Sequence, residues 1–297
     1  MGEASRKSIL SDATVKEAMR AQIVSLPANS PISHGIRHLI KYKINAVLVR
    51  GEDGSPVGVV SKTDIVGAYY AGIPIDAPLA HIMVSPPLFC TLGDSLESVL
   101  DTMRNQRVYR LYVREESDDS VVGVVAYPDI VGLLYGYCRN CDRSVMNRKK
   151  NLQDNVELRI KVKEVMRGSV VWFYDQDDLF RIMEAISEHR CGTVLVKNRE
   201  EIPISVISKT DLILAYARGV PSETIAGHIL SSSRVISCEE STLLEDAIRK
   251  MILTDLQRLF VWSEATENVV GVISLSDAAR IRSGSCHACI SSRIRVE

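Results

Sequence analysis

Apolar residues recur at i, i+3, i+4 and i+7 in three stretches: Leu96, Val99, Leu100 and Met103; Leu179, Ile182, Met183 and Ile186; Leu244, Ala247, Ile248 and Met251. Ile32, Ile36, Leu39 and Ile40 approximate the same stripe. Each stripe predicts an amphipathic helix with one face in a core. Start signals precede them: Ser30 with Pro31 at the first helical position, Asp94 with Glu97 three residues on, and Thr242 with Glu245 three residues on. Two short apolar runs follow every helix, at 46–49 and 57–60, 111–113 and 121–125, 193–196 and 204–207, and 259–261 and 269–273. Polar turn residues such as Asp53-Gly54 separate the runs, so each pair reads as two strands joined by a turn. A second apolar helix opens after them, at 65–70 in the first case.

The pattern is one unit written four times, and a period of this size governs the whole fold. Four closing segments share the form apolar, short residue, two variable positions, Asp: Val60-Ser61-Lys62-Thr63-Asp64, Val125-Ala126-Tyr127-Pro128-Asp129, Ile207-Ser208-Lys209-Thr210-Asp211 and Ile273-Ser274-Leu275-Ser276-Asp277. The aspartates at 64, 129, 211 and 277 lie 65, 82 and 66 residues apart. A helix-like segment ending in Met19, Met83 or Met166, or in Leu230 standing in for Met, precedes each Asp by 45, 46, 45 or 47 residues. The unit reads β-α-β-β-α, and units pair in sequence around an insert.

At these residues the sequence resembles the CBS domain family. The motif G-h-[ST]-x-[ST]-D, with one more apolar residue before the Ser, is intact in Gly58–Asp64 and Gly271–Asp277, while the third unit has Ser205 where Gly is usual. The resemblance implies an α+β fold of tandem CBS repeats forming two pseudo-two-fold Bateman modules. The division expected from it is a tail at 1–13, a first module at 14–135 (repeats 14–75 and 78–135) and a linker at 136–162. A second module at 163–284 (repeats 163–220 and 225–284) and a tail at 285–297 follow.

A Ser-x-Thr-Asp cluster at a helix start places hydroxyls and backbone N–H groups at the positive end of the helix dipole, and its carboxylate can accept from both hydroxyls of a ribose. The same residue types are ordinary helix caps, so both readings stand. Resemblance to nucleotide-binding family members implies ribose on Asp64, Asp211 and Asp277. It puts phosphate near Thr63, Thr210 and Ser276, with Ser61, Ser208 and Ser274 beside them, and the base against Val24, Ala46, Val171 and Thr193. Arg107, Arg110, His189, Arg190 and Arg258 are cations for the phosphate or solvated charges. In the second unit Ala126 and Pro128 replace both hydroxyl positions and proline removes an N–H donor, so this cleft is expected to be weak, empty or shared with the first.

Two C-x-x-C motifs, Cys138/Cys141 and Cys286/Cys289, each begin nine residues after a motif aspartate, at 129 and 277. Four thiolates related by pseudo-symmetry suit a zinc or iron–sulfur site, with His287 a further ligand. A redox pair or cysteines carried along by duplication are the other readings. Cys90, Cys191 and Cys238 read as small buried hydrophobes. The insert around Arg148-Lys149-Lys150 reads as a solvated linker.

Composition narrows the function. Among 297 residues, 36 Lys plus Arg balance 37 Asp plus Glu, which gives no basic surface for nucleic acid. Hydrophobic residues at 46% and charged residues at 25% describe a globular chain, and 5% aromatics leave aliphatic side chains to fill the core. The start MGEASRKSIL has no export signal, and the most apolar stretch, 121–137, is broken by Pro128 and Asp129, short of the roughly 20 residues that span a bilayer. A cytoplasmic protein with reduced thiols and no membrane span is expected. No P-loop, G-x-S-x-G or H-E-x-x-H pattern occurs, so an enzyme is not expected. The expected function is regulatory: a sensor of AMP, ADP, ATP or S-adenosylmethionine that rearranges its modules to signal to a regulated protein, with a homodimer among the expected assemblies. The alternative is a metal- or redox-responsive scaffold built on the cysteines.

Overall fold

The structure, a computed structural model of the chain, describes residues 9–140, 159–230 and 235–281. Two short helices, α1 (Ile9–Asp12) and α2 (Val15–Ala18), lead into the first repeat: β1 (Ser25–Pro27), α3 (Ile32–Lys41), β2 (Ala46–Arg50), β3 (Pro56–Ser61) and α4 (Lys62–Tyr70). The second holds β4 (Phe89–Thr91), α5 (Leu96–Asn105), β5 (Arg110–Arg114), β6 (Val121–Ala126) and α6 (Tyr127–Asn140). The third holds β7 (Trp172–Tyr174), α7 (Leu179–Glu188), β8 (Thr193–Lys197), β9 (Pro203–Ser208) and α8 (Lys209–Ala217). The fourth holds β10 (Ser237–Glu239), α9 (Leu244–Leu253), β11 (Arg258–Ser263), β12 (Asn268–Ser274) and α10 (Leu275–Arg280).

Each repeat is thus the β-α-β-β-α unit read from the sequence. Its first strand lies parallel to its second, because the helix between them returns the chain to the same edge, and the third closes an antiparallel hairpin. The apolar stripes face inward as their periodicity requires: Leu96, Val99, Leu100 and Met103, for example, are all buried. Burying each such side chain is worth roughly 1.5–3 kcal/mol against leaving it in water.

The helix starts differ from the sequence reading. Pro31, Ser95 and Leu243 occupy the N-cap positions where Ser30, Asp94 and Thr242 were expected. The first N–H of the α3, α5, α7 and α9 helices donates to Ala77, Ala13, Thr224 and Ile160 carbonyls at 2.9 Å, so that orphan donor is satisfied without a side-chain cap. Asp94 instead accepts from Thr91 N at 2.8 Å in the preceding turn.

By contact the chain divides into two compact units, each with its own buried apolar cluster. One comprises Ile23–Pro87 and Val170–Val235, the bodies of repeats one and three, and is called the odd unit below. Its core includes Ile32, Leu39, Ile65, Leu179, Ile182 and Ile213, and α4 packs on α8. The other comprises Met1–Gln22, Leu88–Ser169 and Ile236–Glu297, the bodies of repeats two and four, and is called the even unit. Its core includes Leu96, Met103, Ile130, Leu244, Met251 and Ile273, and α6 packs on α10. The compact units therefore cut across the sequential division into 14–135 and 163–284.

The short segments that lead into the first three repeats each pack on a neighbouring repeat's body. Arg20 pairs with Val124, Val84 with Val59, and Arg167 with Val272, each as an antiparallel bridge. The motif glycines make room for this: a Cβ on Gly123 would lie 2.8 Å from Met19 Sδ, and one on Gly271 would lie 2.7 Å from Met166 Sδ.

Candidate functional site

The four closing motifs sit where the third strand of a repeat turns into its last helix. Ser61 caps α4, and the Asp64 carboxylate reaches back so that its Oδ2 accepts from Ser61 N and Oγ, both at 2.7 Å. Ser208 and Asp211 repeat this on α8 at 2.8 and 2.6 Å. On α10, Asp277 Oδ2 accepts from Ser274 N at 3.0 Å and from Ser274 Oγ, and the Ser274 and Ser276 hydroxyls lie 2.7 Å apart. The capping reading of the motif is thus realised in three repeats. In the second, where Ala126 and Pro128 hold the Ser/Thr positions, Asp129 Oδ2 accepts from Ala126 N alone of the capping donors, at 2.8 Å.

The hairpin brings other expected residues to these motifs. Ala46 pairs across the ladder with Ser61, Thr193 with Ser208, Arg110 with Ala126, and Arg258 with Ser274. Val24 and Val171 flank the same middle strands, their carbonyls accepting from Leu48 N and Leu195 N at 3.0 Å. Arg107 and Arg190 lie elsewhere. They are exposed corner residues with φ of 55° and 49°, turning the chain from helix to strand, a position that Lys43 and Asp255 fill in the other repeats. His189 is exposed at the C-cap of α7.

Electrostatics separates the two units. In the even unit, Arg20 Nε lies 2.8 Å from Asp129 Oδ1 and its Nη2 3.5 Å from Oδ2, while Arg167 Nε lies 3.0 Å from Asp277 Oδ1. Both arginines follow the methionine of a lead-in; Val84 occupies that position beside the first repeat's motif, and residue 231, which follows Leu230, lies outside the described residues. Burial pushes the Asp129 carboxyl above the usual range, outweighing the pull of Arg20. Burial also raises Asp64, against its Ser61 bonds and the nearby Lys209 ammonium.

In the odd unit the variable motif positions exchange bonds. Lys62 Nζ donates to Thr210 Oγ1 at 2.9 Å and Lys209 Nζ to Thr63 Oγ1 at 2.8 Å. The tyrosines near the far ends of the same helices reciprocate too: Tyr69 OH donates to Val220 O at 2.6 Å and Tyr216 OH to Ile73 O, with the rings stacked 5.0 Å apart. In the even unit Tyr109 and Tyr127 meet edge to face at 5.1 Å.

Arg20, Arg167, Lys62 and Lys209 were not singled out from the sequence. Their signal was there, an Arg after the lead-in Met in repeats one and three and a Lys at the same variable motif position, but it names no partner. Of the cysteine set, Cys138 is buried in α6, and Cys141, Cys286 and Cys289, with His287, lie outside the described residues. Among the described residues no group of three or more His, Cys, Asp or Glu could hold a metal ion. Nor, among them, is any helix long and apolar enough to cross a membrane.

The CBS domain model matches residues 15–71, 79–136, 162–218 and 226–284, and the chain belongs to this family, with four CBS domains consistent with two tandem Bateman modules. Protein MJ1225 of Methanocaldococcus jannaschii is 24% identical over 187 residues, 63% of this chain and 65% of that one. Protein MK0525 of Methanopyrus kandleri is 27% identical over 124 residues, 41% of this chain. The chain spans 65% and 62% of the length of these two relatives. The crystal structure of MJ1225 is similar with a TM-score of 0.73 at 14% identity, covering 89% of this chain and 98% of that one. That of a conserved protein from Pyrococcus horikoshii gives 0.57 at 15% identity, covering 91% and 100%. At these identities the likeness is one of fold.

Proposed function

We propose that the chain is a regulatory sensor of adenosine-containing ligands, AMP, ADP, ATP or S-adenosylmethionine, held at its Ser-x-Thr-Asp motifs. The observation that carries this is the fixed orientation of Asp64 and Asp211. Their Oδ2 atoms are committed to the motif serines, which sets each carboxylate on its helix and leaves Oδ1 outside the cap, suited to a ribose diol. The small neighbours Ala46 and Thr193 suit the approach of a base, and membership of the CBS domain family supports a nucleotide-sensing role. Signalling follows if the ligand prefers one packing of the chain over another, since a ligand shifts an equilibrium only by its differential affinity. A regulated protein, or a second copy of the chain, would read the change.

A thermal-shift screen with these four compounds tests the proposal. Ligand at 100 times its dissociation constant stabilises by about 2.7 kcal/mol, which at roughly 2–4 °C per kcal/mol for a unit of 150–250 residues raises the melting temperature by about 5–10 °C. Asp211→Ala should remove part of the shift. No shift with any of the four ends the adenosyl reading.

A further inference from the structure

We infer that Arg20 and Arg167 make the motifs of the even unit selective for adenosyl ligands that carry phosphate, an inference that rests on the adenosyl reading above. Each guanidinium occupies the Oδ1 atom of the motif aspartate, at 2.8 Å on Asp129 and 3.0 Å on Asp277. Each Oδ2 already accepts from the helix cap. A neutral ribose diol must therefore replace a charged donor with uncharged ones and strand the guanidinium.

A phosphate changes that balance. The aspartates are nearly buried, their side chains 10% and 8% exposed, whereas the arginines are 52% and 51% exposed, so an arriving anion meets the guanidinium first. Guanidinium forks bind phosphate in the same bidentate manner as carboxylate. The arginine can pass from aspartate to phosphate with its charge still paired, and the freed carboxylate can turn to the sugar. Arg110 adds to the excess of positive charge, being close enough to interact with both Arg20 and Asp129. Arg258, its counterpart in the fourth repeat, pairs across the ladder with Ser274 of the Asp277 cap.

The odd unit lacks this device. Val84 stands in the lead-in position beside the first repeat's motif, and Ala46 and Thr193 stand where the even unit has Arg110 and Arg258. Its motifs should accept adenosyl ligands without phosphate.

The test is calorimetric binding of adenosine and AMP to the full chain carrying Asp64→Asn and Asp211→Asn, which silence the odd motifs. This chain should bind AMP at least tenfold more tightly than adenosine. Adding Arg20→Gln and Arg167→Gln should reduce the preference about tenfold, through weaker AMP binding with adenosine affinity unchanged or higher. The Lys pair at the same positions, which keeps the charge, should retain part of the preference and serves if the Gln pair does not fold. An unchanged preference in a Gln or Lys variant that still binds AMP overturns the inference alone. So does a silenced chain that binds neither compound while the unsubstituted chain binds both. Failure of the unsubstituted chain to bind either overturns the adenosyl reading and this inference with it.

Discussion

The sulfur of Met83 fills the space that a side chain on Gly58 would need: a Cβ built there falls 2.6 Å from Sδ. The lead-in methionines at 19 and 166 stand the same way over Gly123 and Gly271. In the third repeat the glycine position is Ser205 and the corresponding lead-in ends in Leu230, so the sequence departs from the repeat at both equivalent positions.

That contact predicts unequal costs for adding a methyl group. At Gly271 the new Cβ meets the Arg167 carbonyl oxygen at 2.8 Å as well as the Met166 side chain, and backbone cannot swing aside. Gly271→Ala is expected to destabilise by about 1–3 kcal/mol in urea titrations. For Gly58→Ala the three nearest atoms all belong to the Met83 side chain, so it should cost less and should be relieved by Met83→Leu. Equal losses at both glycines would show that the methionine, not the carbonyl, sets the limit.

The crossed lysine–threonine bonds of the odd unit invite a double-mutant cycle. Lys62→Met with Thr210→Val, and Lys209→Met with Thr63→Val, should each show a coupling energy near 1 kcal/mol, because the bonds are charge-assisted but partly open to water. The two cycles should agree. Zero coupling in both means that the ammonium groups do not hold these positions in solution.

Acid should relieve Asp64. Its pKa is raised above the ordinary 3.8 by burial, so the ionised group opposes folding at neutral pH, and that penalty fades as pH falls through the folded-state value toward 3.8. Asp64→Asn, which keeps an acceptor for Ser61, is expected to hold or raise the melting temperature at pH 7 and to remove this part of its pH dependence. Asp64→Ala, which leaves the Ser61 N–H without its cap, should lower stability by about 1 kcal/mol. A clear loss from the Asn variant at pH 7 would mean the charge is a net asset.

Two cysteines should be chemically quiet. Burial pushes the Cys90 thiol up to about 12 and Cys238 up to about 11. Only the thiolate reacts, so alkylation of these two at pH 8, followed by peptide mass mapping, should run about a hundredfold slower in the folded chain than in denaturant. Rapid labelling of Cys90 would contradict its burial in the even unit's core.

The repeat, its strands and its helices were legible because short apolar runs and a 3.6-residue period alternate along the chain four times over. Motif aspartates were legible because they recur at a fixed place. What packs on what was not. Four copies with nearly the same apolar faces carry no mark of which two share a core, so the alternation of odd and even repeats is absent from the spacing. The Arg20–Asp129 and Arg167–Asp277 pairs were equally hidden, since each joins residues 109 or 110 positions apart and a lone exposed arginine looks like any solvated charge. The cap read from the sequence on α5 falls one residue early, because Ser95 Oγ accepts from Ser98 N while Asp94 closes the preceding turn on Thr91 N.

The interleaving of the chain through its two cores also bears on how it comes off the ribosome. Arg20 is made about a hundred residues before Val124, the strand residue it bridges, and Leu10 belongs to a core that also needs Leu244 and Ile273. Neither core can close on a half-made chain: the odd one waits for residues beyond 170 and the even one for residues beyond 236. Truncated products therefore display unfilled apolar faces, and quality control in the cell has a long interval in which to act on them.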